Sequence, residues 1–360
     1  MSLRLHIRTT TGREQTIYLA GGRLVAAGPS EETLDLRHLY ALTGLGDGHL
    51  HLAARSVDDF VAAPDAVDIA AVRENAAAQL QTGVVSALDK GDKDGSVTAV
   101  LAESPEHRPQ LEMAGPLHRA PGGYYPGVGV EAAGAQLADL ALPVPGATWF
   151  KVIGDWPLPG RGPVPSYAES DFAAAVQAAH TSGRRVAVHA MAPETPSMAV
   201  RAGVDSIEHG LFLTFEDLRT LGERGGYWVP TVVAMEEITD LLGAESSGGR
   251  LIRSGLENVR ELLPEAHRLG VRLLAGSDLS SSHGAIAREA IRLVDFGLDA
   301  PTALAATTTH IHEAIGKPHT FSVGDPADIV CVEGDPTVDI AALGRVRLVI
   351  RLGRVVRNEL

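Results

Sequence analysis

Two textures of hydrophobic and polar positions divide the chain. Near its start, residues 3–8, 15–19 and 23–27 alternate apolar and polar positions, and Thr11-Gly12 and Gly21-Gly22 separate them. A period of two turns one face of an extended segment to a core and the other to water, so these runs predict antiparallel strands. The same texture returns at 328–333, 346–352 and 354–356. The two ends are therefore expected to share a small β-sandwich domain, residues 1–40 plus 320–360, with the middle inserted between them.

The middle, residues 41–319, alternates short apolar runs with amphipathic stretches. Runs at 42–45, 84–88, 110–113, 149–152, 185–188, 206–207, 227–229 and 271–275 predict strands. Stretches at 69–82, 171–182, 215–223 and 257–269 predict helices. Strands mostly followed by helices make an α/β fold, and a closed parallel (β/α)8 TIM barrel is expected. A doubly wound open sheet is the rival that the same pattern permits.

Composition adjusts this picture in three places. Aromatic residues make up only 4%, which leaves the core to aliphatic side chains. The 31 basic and 45 acidic residues give a net charge of −14, which argues against nucleic acid or an anionic membrane surface as partner. A small-molecule substrate is the expected partner, and homo-oligomerisation is left open. Cys331 is the single cysteine, so neither an internal disulfide nor a cysteine-based zinc site can form. No apolar run approaches about 18 residues and the first segment is charged, so neither a membrane span nor a signal peptide is expected, and the protein reads as cytoplasmic.

The candidate chemistry gathers at the ends of the predicted strands. His49 and His51 follow the first strand, and i and i+2 in an extended segment share a face, so both can reach one ion. Lys151 ends the fourth strand, His189 the fifth, His209 follows the sixth and Asp278 the eighth. In a closed barrel such ends converge on one rim. A set of imidazoles and a carboxylate suits zinc and tolerates manganese, cobalt, nickel or iron. A lysine ammonium is no ligand, but a lysine carbamylated by carbon dioxide carries a carboxylate able to bridge two cations. Each residue alone has an ordinary explanation: a chance His-x-His, a strand-end lysine paired to an acid, an aspartate capping a helix. Five strand ends carrying ligand-type residues together point to a metal centre.

Loop residues around these ends are candidate substrate contacts: His118 and Arg119, Tyr124 and Tyr125, Asp155-Trp156, and 280–283. Arg119 is placed to hold a carboxylate by paired hydrogen bonds, and His283 to touch a substrate carbonyl. His180, His267, His310 and His312 fall on helical stretches and read as surface or packing residues.

The order His49-x-His51, Lys151, His189, His209, Asp278 resembles the binuclear pattern of the amidohydrolase superfamily. Segments 83–89, 202–210, 229–231 and 324–330 resemble its imidazolonepropionase-like and metal-dependent dipeptidase branch. The resemblance implies two divalent cations. His49, His51 and Asp278 would hold the more buried one and His189 and His209 the other, with carbamylated Lys151 bridging. It makes Asp278 the catalytic residue that moves the proton from water to the leaving amine. The expected reaction is hydrolysis of a C–N amide bond in a small molecule, with a dipeptide or N-acyl amino acid favoured. A lactone, cyclic amide or phosphotriester hydrolase on the same residues is the alternative, and a catalytically inactive metal-binding barrel the second. Two departures stand out: Thr43-Gly44-Leu45 replaces the usual Pro-Gly lead, and Gly122-Gly123-Tyr124 stands where relatives carry Gly-Gly-His.

Overall fold

A computed structural model describes residues 2–62, 67–158, 162–280 and 283–360. Ser281 and Ser282, named above with His283, lie outside the described residues.

The alternating ends of the chain form one seven-stranded sheet. Its order is Arg354–Asn358, Val346–Arg351, Ile329–Val332, Glu32–Leu42, Leu3–Thr9, Glu14–Ala20 and Arg23–Val25. Pairing is antiparallel except between Leu3–Thr9 and Glu32–Leu42. Leu3, Leu5, Ile7, Ile329, Cys331, Leu348 and Ile350 turn to one face and form their own apolar cluster. Val330, Val332 and Val349 turn to the other face and join the main core. That two-sided burial is why 329–332 is a continuous apolar run rather than an alternating one.

The middle of the chain alternates parallel strands and helices. Leu45–Leu50, Val84–Asp89 and Gln110–Met113 pair in that order. Leu117–Arg119, Trp149–Ile153, Arg185–Ala190, Ser206–His209, Tyr227–Val229 and Arg272–Leu273 pair in that order. Single parallel bridges Asp92–Pro116 and Met113–Ala147 connect the two groups on one side, and Leu50–Asp278 on the other. Gly48 N donates to Ala275 O at 2.7 Å and Asp278 N to His49 O at 2.6 Å beside that last bridge.

Two strands depart from expectation for local reasons. The third is broken at Ala114-Gly115-Pro116, where proline removes a ladder donor. Its first piece pairs with the second strand and its second piece with the fourth. The eighth is regular only over Arg272–Leu273; beyond it, Leu274 N and Ala275 N donate singly to Trp228 O and Ala306 O. Close approach explains the glycine there. A Cβ on Gly276 would lie 2.7 Å from His49 Cβ and 2.6 Å from Val229 Cγ1. A hairpin, Asp155–Leu158 with Gly162–Pro165, follows the fourth strand and is not signalled by the hydrophobic pattern.

Several helices begin where a side chain takes the free backbone N–H groups. Asp68 caps Ile69–Gln81 through Ala70 N at 2.9 Å, and Thr214 and Asp217 cap Phe215–Glu223 reciprocally. The helix expected from 257 starts at Ser247, because Ser246 accepts from Gly249 N at 2.9 Å. Among the described residues no helix is long and apolar enough to cross a membrane.

Candidate metal centre

The first strand ends in the sequence Asp47-Gly48-His49-Leu50, and all four residues are buried. His49 Nε2 lies 3.6 Å and His51 Nε2 3.5 Å from Asp278 Oδ1. One donor atom from each of the three falls within 4.8 Å of the others. The opposite ring nitrogen of His51 lies 2.6 Å from Gly91 O, to which it donates, so Nε2 carries the free lone pair.

A second pair sits beside the first. His189 Nδ1 and His209 Nε2 are 3.0 Å apart. His209 Nδ1 lies 2.7 Å from Thr231 Oγ1, and the Thr231 hydroxyl donates to Pro230 O. Ring centroids run 5.3 Å from His51 to His49, 5.3 Å from His49 to His209 and 4.6 Å from His209 to His189. His209, Thr231 and Asp278 hold left-handed backbones at φ of 64°, 49° and 51°. Non-glycine residues adopt that region at a cost of about 1–3 kcal/mol each, and it persists where the surroundings enforce it.

Lys151 is buried on the fourth strand, and its charge acts on all four imidazoles. Burial, aided by that charge, lowers His51 and His189 to about 3 and holds His49 and His209 well below their ordinary value. The four rings are therefore neutral, the form that binds metal. Burial lowers the Lys151 ammonium to about 8, against the opposing pull of Glu208, and a neutral amine is the form that adds carbon dioxide. Burial raises Asp278 to about 6, with Lys151 opposing. Neutral imidazoles aimed at one carboxylate oxygen make a donor set that fits a divalent cation.

Beneath these residues lies a charged floor, of which only Asp155 stands among the candidate residues named from the sequence. Lys90 Nζ donates to Glu208 Oε1 at 2.9 Å, Ser206 Oγ donates to the same oxygen at 2.6 Å, and Lys90 lies 4.7 Å from the Trp149 ring. Glu208 Oε2 is 2.7 Å from His49 Nδ1. Asp47 accepts from His49 N, Ser277 N and Ser277 Oγ, tying the first strand to the eighth. Asp155 accepts from Met191 N and Ala192 N, each at 2.8 Å, and so pins the loop after His189. A charged residue inside an apolar strand run is the signal that a buried partner exists.

Above the histidines is an aromatic roof. Tyr124 lies 4.6 Å from Trp156, 4.9 Å from Tyr125, 6.2 Å from Phe60 and 6.4 Å from His189 between ring centroids. Burial first, and the Asp278 charge next, push the Tyr124 hydroxyl well up.

Three expected substrate contacts are engaged by other groups of the protein. Lys151 is in register with Leu117 and Val152 with His118, so His118 shares the helix-facing side with Phe150 and Val152, opposite Lys151. Its ring packs 4.3 Å from Phe150, and its Nδ1 donates to Lys151 O at 3.1 Å. Arg119 is occupied by Val128 O at 2.7 Å and Glu131 Oε1 at 2.6 Å. His283 has both nitrogens engaged, with Gln79 Nε2 at 3.2 Å and Ala54 O at 2.8 Å. Of the helical histidines, His180 pairs with Asp205 at the surface and His310 with Leu273 O, while His312 is buried.

Comparison with known proteins adds to this geometry. The model of the amidohydrolase family matches residues 40–356. An uncharacterized protein of Mycobacterium tuberculosis (strain ATCC 25618 / H37Rv) is 27% identical over 365 residues, covering 98% of this chain and 96% of its own. Among solved structures, a Xaa-Pro dipeptidase with bound methionine in its active site is 24% identical with a TM-score of 0.79, covering 99% of each chain. A prolidase complexed with N-methylphosphonate-L-proline is 21% identical with a TM-score of 0.81, covering 99% of this chain and 100% of its own. The ochratoxinase of A. niger is 17% identical with a TM-score of 0.80, covering 99% and 96%.

Proposed function

The chain belongs to the amidohydrolase family and is a hydrolase, and from that premise we propose that it cleaves an amide bond of a small molecule at a centre of two divalent cations, zinc foremost. The observation that carries this reading is the convergence of His49, His51 and Asp278 within 4.8 Å of one another, with His189 and His209 alongside. We place the centre at the rim of a closed (β/α)8 barrel over residues 41–319, with the terminal sheet, residues 1–40 plus 320–360, as a separate small domain. The bridge Leu50–Asp278 supports closure.

His49, His51 and Asp278 would hold one cation, His189 and His209 the other, and a carbamate on Lys151 would lie between. When bound, the cations would lower the pKa of a water and polarise the scissile carbonyl. Asp278 takes the proton of the attacking water and gives it to the leaving nitrogen, which an amide requires because an amine is a poor leaving group. Phe60, Tyr124, Tyr125 and Trp156 hold the apolar part of the substrate and exclude water. A dipeptide or N-acyl amino acid with a hydrophobic side chain suits that roof; because Arg119 is occupied, this preference rests on the rings.

Elemental analysis of protein expressed with zinc and bicarbonate should give about two ions per chain, and trace metal alone would end the reading. Metal-loaded enzyme is then offered dipeptides, N-acyl amino acids, lactones, cyclic amides and phosphotriesters. A lactone or phosphotriester exceeding every amide by about tenfold in kcat/KM, about 1.4 kcal/mol in transition-state binding, would move the activity to that bond. Metal without turnover of any of them would favour an inactive metal-binding barrel.

A further inference from the structure

The charged floor contains a pair that packing does not account for. Glu208 is fully buried, and its Oε1 is taken by Lys90 Nζ at 2.9 Å and Ser206 Oγ at 2.6 Å. Its other oxygen, Oε2, has no aligned hydrogen-bond donor, and neither has His49 Nδ1 an aligned partner. These two atoms are 2.7 Å apart, so each is the group that can satisfy the other once the ring turns into line. His51 already has the equivalent arrangement, its Nδ1 against Gly91 O and its Nε2 toward Asp278.

We propose that Glu208 is a positioning residue for the metal centre: it accepts the Nδ1–H of His49 and thereby fixes His49 Nε2, with its lone pair, toward Asp278 and the cation. Lys90 and Ser206 hold the carboxylate by its far oxygen, so the near one stays aimed at the ring. An imidazole ligand whose other nitrogen donates to a carboxylate is fixed in tautomer and orientation and is the stronger base. Lys90 directly follows the second strand, while Glu208 is on the sixth and His49 on the first, so one charged chain couples three strands at the point where the ligands meet. This rests on reading His49 as a metal ligand.

The test reads the tautomer directly. Metal-free protein with 15N-labelled histidine is examined by NMR, and His49 is expected as the Nδ1–H form. Glu208→Gln keeps the size of the side chain and an oxygen for Lys90 and Ser206, but turns an amide N–H toward Nδ1. His49 is then expected as the Nε2–H form, and the zinc dissociation constant is expected to rise about 10–100-fold with the fold intact by circular dichroism. A wild-type His49 in the Nε2–H form, or a variant whose zinc affinity stays within about twofold of wild type, overturns the proposal. Should the variant fail to fold, the wild-type tautomer alone decides. Should wild-type protein bind no zinc, the ligand reading falls, while the tautomer still reports on Glu208.

Discussion

The floor and the roof of the site are built by different means. In the floor, Asp47, Lys90, Ser206, Glu208 and Thr231 are all buried and stand on strands or at their ends, their positions set by strand register. The roof is made of Phe60, Tyr124, Tyr125 and Trp156, brought in by a short helix, a loop and a hairpin, with ring centroids 4.6–6.2 Å apart and every pair but the tilted Tyr124–Tyr125 edge to face. Three of its four rings are only half-buried. The contrast suggests a division of labour: substitutions in the plane of the ligands should act on metal content and kcat, and substitutions in the roof on KM.

The largest effect is expected at Asp278. Asp278→Asn should lower kcat by about 10³-fold or more, since it removes the proposed proton carrier and the proposed anionic ligand together. Asparagine tolerates the left-handed backbone that this residue holds at φ 51°, so the melting temperature should stay close to wild type. Near-normal turnover would show that the floor and its ligands do not carry the chemistry. Next comes Lys151→Ala, expected to reduce activity at least about 10²-fold and metal content below two per chain. Short carboxylic acids should restore part of both by filling the bridging position. A lysine that mass spectrometry of the native protein finds without added carbon dioxide, at full metal content, would refute the carbamate.

The roof should respond differently. Trp156→Ala is expected to raise KM about tenfold for an amide with an apolar side chain, a loss within the 1–3 kcal/mol of a single hydrophobic contact. Metal content and kcat should change less than about threefold. A collapse in kcat or loss of metal in this variant would erase the distinction between roof and floor, and the Asp155 carboxyl next to it, which pins the His189 loop, would be the reason to examine.

The strand-end residues of the candidate centre were legible in the sequence because their positions follow from local rules. His49 and His51 share a face through i, i+2 spacing, and Lys151, His189, His209 and Asp278 each close or follow an apolar run. The floor was not legible, because Lys90 meets Glu208 across 118 positions and no local pattern relates them. His118 reads as a loop residue in the sequence; it lies on the short strand Leu117–Arg119, and the register with Val152 turns it away from Lys151. Arg119 looked free because its partner Glu131 lies on a two-residue strand too short to be seen in the pattern. The parallel order of the strands was readable from the alternation; the break at Pro116 and the hairpin bearing Trp156 were not, since each depends on close packing at the rim.

A last comparison lies behind the floor and separates its electrostatics from burial as such. Glu208 and Glu289 are both fully buried glutamates. Burial alone raises a carboxyl, but Lys90 and Lys151 outweigh it at Glu208, whose pKa ends below its ordinary value. Glu289 has no such cation among the causes of its shift. Among the described residues it accepts from Val232 N and Val233 N, both at 2.9 Å, at the start of the helix that follows Thr231, and burial raises it to about 8. The folded protein therefore holds a proton on Glu289 between pH 4.5 and about 8 that the unfolded chain releases. The stability this group contributes is complete below about 4.5 and is lost as pH rises through about 8. Glu289→Gln cannot ionise, so its melting temperature should fall less steeply than that of wild type from pH 5 to 8.5. At low pH the variant should be slightly the less stable, by about 1 kcal/mol, because an amide offers one acceptor where the helix start presents two donors. The two melting curves should therefore converge or cross as pH rises. Parallel curves across the whole range would mean that Glu289 is ionised in the fold at neutral pH, held by the helix N-terminus as firmly as Glu208 is held by its lysines.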